Sequence, residues 1–489
     1  MKRPCINASQ TSIIKMRELH PIPLKTFNFN WMKGKMESIL KTVTVVVILM
    51  AFVPGINAQE DATLFFLPGI SQSSLSNPAI QNRTDKLVVG IPFISGTGAR
   101  WNASVPLNAL FYDGFEYDVK RLYEALDETG TANASARLSM FFTSFQYNNF
   151  SFSFSVRERF FSEGVANREI ARFIADGTAG SYGKNENFGA MTLFLTHYRE
   201  VAQGFSLRLR EDLDIGLRAK ILFGKFHFSA KDLHFSAETD TEANEMLLTP
   251  EGSYFVSGPF VYSNNPDTHL SGFSVDAAPG DYFFKPKNLG IALDFGIIYR
   301  PNSFWELSAS VLDAGMLGFR HKSYDVEFVR PIHFPEHSLY QSNHPEGAAY
   351  REPRVALQDI IDSVLQIISV KKLNTRNVLS LPVDIHFAAR HNFNTKYSAG
   401  LHNQLSFYRL QPENMLSAFF TAATSPKLDL FGSLSSVNFK NIMPGFGIVH
   451  TGGRVQIYFT SSNILSIIQP FASKQLNLSF GVNFLFATE

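Results

Sequence analysis

At 489 residues the chain has room for two or three ordinary domains or one large barrel, and its 47 Phe are a heavy aromatic load for a protein surrounded by water. A mean hydropathy of −0.03 excludes a helical membrane protein of several spans. The net charge of +1 hides an asymmetry: residues 1–58 hold eight Lys/Arg against Glu18 and Glu37, leaving 36 basic and 41 acidic side chains beyond them, about −5, and no basic stripe that would favour nucleic acid.

In chain order, Cys5 comes first and is the only cysteine. Downstream of it there can be no disulfide, no Cys-zinc site and no thiol nucleophile. Lys33, Lys35 and Lys41 precede an apolar run from Val43 to Val53, which Pro54 and Gly55 break ahead of Ile56-Asn57-Ala58. That is the pattern of a secretory signal peptide, with an apolar core too short for a helical bilayer span. Residues 1–58 therefore read as an upstream extension plus signal peptide, with translation starting at Met32 or Met36 and cleavage after Ala58. No later stretch of 18 or more apolar residues exists. An exported chain without a helical anchor ends as a soluble protein or as a barrel.

Residues 59–85 are rich in Ser, Asn and Gln, with Pro68 and Pro78, and read as irregular. Some 14 to 16 candidate strands follow. Phe150, Phe152, Phe154 and Val156 alternate with Ser151, Ser153, Ser155 and Arg157. Phe205, Leu207 and Leu209 alternate with Ser206, Arg208 and Arg210. Leu213, Ile215, Leu217, Ala219, Ile221 and Phe223 alternate with Asp214, Gly216, Arg218, Lys220 and Gly224. Leu289 to Tyr299 and, after a turn at Pro301-Asn302, Trp305 to Val311 repeat the pattern. Each run covers roughly 9–12 residues, enough for a tilted strand to cross a bilayer.

Alternate side chains of a strand face opposite ways. The final run, Leu476 to Phe486, puts Leu476, Leu478, Phe480, Val482, Phe484 and Phe486 on one face and Asn477, Ser479, Gly481 and Asn483 on the other. A soluble sandwich would place Lys, Glu and Thr on the polar face. Gly, Ser and Asn with a few charges suit a lumen instead. The fold expected is all-β: a transmembrane outer-membrane barrel of about 14 antiparallel strands over 86–489, with a secreted β-rich protein as the competing reading.

Three helices are expected among the strands. They are Asp118 to Asp127, Arg168 to Ala175 and Val355 to Val370, the first two in loops or in the lumen. The third lies in a strandless insertion of about 320–380 that also carries His333, His337 and His344. Histidines three or four apart can chelate a metal on a helix. Pro335 and irregular surroundings make solvated loop histidines the better reading. His227 and His234 flank Lys231 and Asp232 in an expected strand-turn-strand stretch, and no local pattern marks a nucleophile. No catalytic residue, cofactor or metal is expected, and an enzyme is disfavoured. Gly96-Thr97-Gly98 and Gly445-Phe446-Gly447 lack the spacing of a phosphate loop.

Several segments together resemble a known group. LPGISQSSLSNPAI, NREIARFIADGTAGSYGKNENFG, HYREVAQGFSLRLREDLDIGLRAKILFG, LGIALDFGIIYRPNSFWELSASVLDAG and VQIYFTSSNIL occur in that order. They resemble a Bacteroidetes family of outer-membrane barrels of unknown function within the FadL-like group of long-chain fatty-acid transporters, over about 60–489. The resemblance implies that residues 59–85 fold inward as a plug around Asn77, Pro78 and Ala79. It also implies that the last strand closes on the first near Lys86 to Ile94. From the residues alone a simple turn at Asn77-Pro78-Ala79 is equally open, since Pro restricts its neighbour and removes a donor. Arg208, Arg210, Arg218 and Lys220 share the polar parity and are candidate lumenal charges, paired with Asp212, Asp214 or the plug more readily than with an anionic ligand. The role implied is passive passage of hydrophobic small molecules through a barrel in outer-membrane lipid. The alternative is a non-transporting scaffold of a secretion or surface-assembly machine, with protein partners docking on the 320–380 insertion.

Overall fold

The computed structural model describes residues 62–487 apart from 66, 68, 82–85, 110, 113–115, 241–244, 266–269, 276–277, 336–367 and 374–375. Residues 1–58 with the signal segment, His337, His344 and the expected helix up to residue 367 lie outside the described residues.

Fourteen staves form the wall. The first, β1, is Lys86–Gly90 continued by Thr97–Ala103. It is followed by β2 (Thr129–Tyr147), β3 (Phe150–Asn167), β4 (Glu186–Arg210), β5 (Leu213–Asp240), β6 (Asn288–Tyr299) and β7 (Trp305–Phe319). Then come β8 (Val383–Asn392), β9 (Tyr397–Phe407), β10 (Pro412–Ser425), β11 (Leu428–Val437), β12 (Asn441–Gly452), β13 (Val455–Ser461) and β14 (Gln475–Ala487). Each pairs antiparallel with its neighbours in sequence, and β14 pairs back onto β1 with Leu87 opposite Phe486 and Val89 opposite Phe484. The sheet is a closed 14-stranded antiparallel barrel. Closure leaves no unpaired edge in the wall.

The alternation decides which face is which. Leu293, Phe295, Ile297 and Tyr299 of β6 are exposed, as are Ile215, Leu217 and Ile221 of β5 and Phe480, Phe484 and Phe486 of β14. Ile291 is 67% exposed, whereas Asp294, Arg218, Glu200 and Asn483 are buried at 1% or less. An apolar outer belt around a polar interior inverts the pattern of a water-soluble sandwich. No described helix is long and apolar enough to cross a membrane.

One end carries short turns, such as 148–149, 211–212 and 453–454, and both described chain ends lie there. The other end carries the long connections. Val119–Ala125 (α1) and Arg168–Asp176 (α2) pack there, with Arg168 Nε donating to the Tyr123 carbonyl at 3.1 Å. Side-chain caps begin both helices: Asp118 accepts from the Lys120 and Arg121 N–H groups, and Asn167 from that of Glu169.

Three expectations need correction. First, β4 and β5 are 25 and 28 residues long. About 90 Å of strand in β5 cannot fit within a bilayer. The upper half rises beyond the ring because it has partners there. Glu245–Glu251 and Ser253–Ser257 pair with it, and Ser323–Phe328, Ile332–Pro335 and Ile368–Leu373 extend that sheet. Second, the 320–380 insertion is therefore not strandless in its described parts, and residues 368–370 are strand and not helix. Cross-strand pairing and burial of Val256, Tyr324, Val326 and Ile368 in one apolar cluster override the helical spacing. Third, the stretch around His227 and His234 does not turn. β5 runs through it, and Lys231 and Asp232 form a bulge opposite Thr192, with Asp232 at a φ of 50°.

Candidate functional site

Residues 64–81, apart from 66 and 68, lie against the inner face of the wall and bond to residues of both β5 and β14. Leu64, Phe65, Leu67 and Ile70 pack on inward-facing Met415, Phe419, Phe431, Met443, Val449 and Tyr458 of β10–β13. This part of the lumen wall thus carries an apolar patch, unusual for a barrel interior, set among buried polar residues such as Ser417, Ser435 and Gln456. Phe65 also lies 4.8 Å from the His402 ring and 5.8 Å from that of His386.

The segment then passes a ring of amides. Gln456 Nε2 donates to the Gly69 carbonyl at 2.9 Å. Gln72 donates to Asn483 at 2.6 Å and to Ser95 Oγ at 2.8 Å. Asn483 returns a bond to Gln72 Oε1 at 2.9 Å and reaches Gln456 Oε1 at 3.1 Å. Gln72 and Asn483 are both fully buried.

On the opposite wall Arg218 of β5 donates to the carbonyls of Ser74 and of Leu75, the latter at 3.2 Å. Ser310 Oγ donates to the Ser76 carbonyl at 2.8 Å, and Ser206 Oγ to that of Ala79 at 3.1 Å. Asn77 is fully buried. Its side-chain oxygen accepts the Ala79 N–H at 2.9 Å, which makes Asn77-Pro78-Ala79 a tight Asx turn. The turn lies flat on the wall because β5 and β6 offer glycine there. Gly216 and Gly296 are cross-strand partners. A Cβ on Gly216 would overlap the Pro78 carbonyl, and one on Gly296 would overlap Asn77 Oδ1 and come within 2.8 Å of the Ala79 nitrogen. Beyond the turn, Gln81 accepts from Arg208 at 3.2 Å and donates to the Asn149 carbonyl at 3.0 Å.

A charge network lines the lumen of β3–β7. Arg157 and Glu200 meet at 2.5 Å, Arg218 and Asp294 at 3.1 Å, and Lys220 holds Asp294 at 2.7 Å and Asp313 at 2.6 Å. Arg159 reaches Asp313 at 3.5 Å and Glu200 at 3.7 Å. Charges taken out of water need this dense pairing.

Of the four candidate cations, Arg218 and Lys220 belong to this network, and Arg218 alone of the four also holds the carbonyls of residues 74 and 75. Arg208 sits at the strand end with Asp214 at 3.2 Å. Arg210 is largely exposed at the turn, 3.1 Å from Asp212. Sequence reasoning missed Gln72, Asn483, Glu200, Asp294 and Asp313. Polar parity put Asn483, Glu200 and Asp294 on inward faces, but Gln72 lies on no strand, Asp313 shares the apolar parity of Trp305 to Val311 until a bulge turns it inward, and nothing local shows which inward residues meet. His333 bonds Glu245 at 3.1 Å, and among the described residues no group of three or more His, Cys, Asp or Glu is gathered to hold a metal. His227 contacts Thr196 Oγ1 at 2.9 Å and stacks on Phe319.

The chain belongs to a family of unknown function (DUF5723), whose model matches residues 78–462. No curated protein matches it. Among solved structures it is similar to the Pseudomonas putida toluene transporter TodX, at 9% identity over 89% of this chain and 96% of that one, with a TM-score of 0.39. It is also similar to the Ralstonia pickettii toluene transporter TbuX, at 8% identity over 86% and 94%, with a TM-score of 0.43. A Pseudomonas aeruginosa FadL homologue matches at 9% identity over 89% and 100%, with a TM-score of 0.41. At such scores these likenesses carry no argument, and the fold rests on the chain's own pairings.

Proposed function

We propose that this member of the DUF5723 family is an outer-membrane barrel that passes small hydrophobic molecules down their gradient, with residues 59–85 as its plug. The observation that carries the reading is the apolar patch on the lumenal wall of β10–β13. Inward-facing Met415, Phe419, Phe431, Met443 and Val449 form one buried apolar cluster with Leu64, Phe65, Leu67 and Ile70 of the inner segment. Withdrawal of that segment exposes a greasy wall facing a charged one. An apolar solute has a surface to follow there, and water has little to gain from wetting it. The apolar outer belt supports insertion in a bilayer, and the short-turn end carrying both described chain ends supports a periplasmic position for them. The described contacts of this segment are apolar packing and hydrogen bonds, those from Arg208 and Arg218 among them, and all are reversible.

The test is reconstitution of the full chain and of a variant lacking residues 60–85 into liposomes. Efflux of a small apolar dye is expected to rise in the variant and to stay low in the full chain. Equal efflux from both would sink the plug assignment. Raised efflux of polar sugars with no gain for the apolar dye would sink the substrate class.

A further inference from the structure

A connection from the long-loop end folds down onto the outside of the barrel and builds a charged site at the upper edge of the apolar belt. Glu158 of β3 and Arg199 of β4 are cross-strand partners on the outer face, since the adjacent pair Arg157 and Glu200 faces the lumen. The short helix Pro279–Phe284 lies over them. Tyr282 Oη meets His197 Nδ1 at 2.6 Å, and His197 Nε2 lies 3.2 Å from Glu158. Arg199 forms an ion pair with Glu158, and its guanidinium stands 5.7 Å from the Phe284 ring. Lys225, at a bulge in β5, donates to the Phe283 carbonyl at 3.0 Å and to that of Lys285 at 3.4 Å.

The height of this cluster follows from the belt. On β4 the outward-facing positions run from Val201 to Leu209, and on β5 from Ile215 to Phe223. Nine residues is about the length that crosses the apolar part of a bilayer. Arg199 and Lys225 come one outward step above it, at headgroup level. The charges there do not cancel. Arg199, Lys225, Lys285 and Lys287 face Glu158 and Asp281, four cations against two carboxylates. Arg199 and Lys287 are among the charges that repel Lys225. Beside this surplus, Phe284 is 74% exposed and Phe283 41% exposed.

We propose that this strap is a binding site for the phosphate headgroup of an anionic lipid, with Lys287 meeting the charge, the buried Lys225 adding positive field beneath it, and Phe283 and Phe284 lying among the upper acyl carbons. Basic side chains at the level of a membrane surface attract anionic lipid, and aromatic rings anchor at the same depth. The site rests on the reading that the belt faces a bilayer.

The test is native mass spectrometry of the full chain in neutral detergent, titrated with phosphatidylglycerol, with phosphatidylcholine and with inorganic phosphate. Phosphatidylglycerol is expected to stay bound where phosphatidylcholine is lost, and inorganic phosphate not to displace it. Lys287→Gln and Lys225→Gln should each weaken it about five-fold, and Phe284→Ser should weaken it without changing the response to phosphate. Lys287 belongs to the connection and not to the barrel wall, so its variant keeps the test free of folding effects. Equal retention of both lipids, displacement by inorganic phosphate, or unchanged binding in Lys287→Gln would overturn the proposal. Failure of the membrane reading shows differently, as a chain that does not enter liposomes at all.

Discussion

Gln72 and Asn483 stand 411 positions apart and exchange two amide hydrogen bonds in the lumen, at 2.6 and 2.9 Å. The pair joins the inner segment to the closing strand, with Ser95 and Gln456 satisfying the remaining polar atoms. Both amides are fully buried, so each depends on the other for the bonds that water would otherwise supply.

Asn483→Ala should therefore loosen the inner segment while leaving the barrel folded. A buried amide left without its partner costs about 1–3 kcal/mol. Liposome efflux of a small apolar dye should rise, while the heat-dependent gel shift of the folded barrel stays as in the parent. Unchanged efflux would mean that the amide ring does not hold the segment.

The glycine seat gives a steric test. Gly216→Val places side-chain atoms where the Pro78 carbonyl now lies. The Asn77-Pro78-Ala79 turn should leave the wall. Proximity reports this: the Ser310 hydroxyl donates to the Ser76 backbone carbonyl at 2.8 Å, and the yield of a crosslink between cysteines placed at these two positions should fall sharply when Gly216→Val is added. Retention of full crosslinking would show that the turn tolerates the extra bulk.

Asp294 carries two cations, Arg218 at 3.1 Å and Lys220 at 2.7 Å. Asp294→Asn leaves them with one anion fewer inside the wall, a change of the kind that costs about 3–5 kcal/mol. The urea midpoint for unfolding in detergent should drop clearly. It should drop less in Arg210→Gln, because Arg210 is mostly exposed.

The belt can be probed by depth. Phe295 lies mid-strand on β6 and Tyr299 at its short-turn end, both facing outward. Arg at the bilayer midplane of a barrel costs about 2–4 kcal/mol, against about 0–1 near an interface. Folding into liposomes, followed by urea titration, should rank Phe295→Arg well below Tyr299→Arg. Equal penalties would contradict a bilayer around this face.

Much of the wall is legible in the residues because parity is a local property. Leu478, Phe480 and Val482 against Asn477, Ser479 and Gly481 already state which side chains share a face. Small polar residues on the second face argue for a lumen. The helix over Arg168–Asp176 is equally local, announced by its spacing and capped by Asn167. Where the reading failed, a distant partner overrode a local pattern. Ile368 to Val370 continue a helical stripe in the sequence, yet they pair with Phe328, Glu327 and Val326. Lys231 and Asp232 look like a turn, but a bulge absorbs them because Thr192 lies opposite.

The sequence by itself determined a barrel with greasy staves and a polar interior, since a strand's period of two needs no knowledge of its neighbours. It offered a turn at Asn77, Pro78 and Ala79 as one of two open readings. Only the tertiary structure decided what that turn rests on. Gly216 and Gly296 become a seat when β5 and β6 align in register, and Arg218 becomes a clamp when closure of the barrel brings residues 74 and 75 across the lumen. The same closure gathers a charged network on β3–β7 and an apolar cluster on β10–β13. Parity assigns a residue to a face, but closure and register alone decide which inward residues meet.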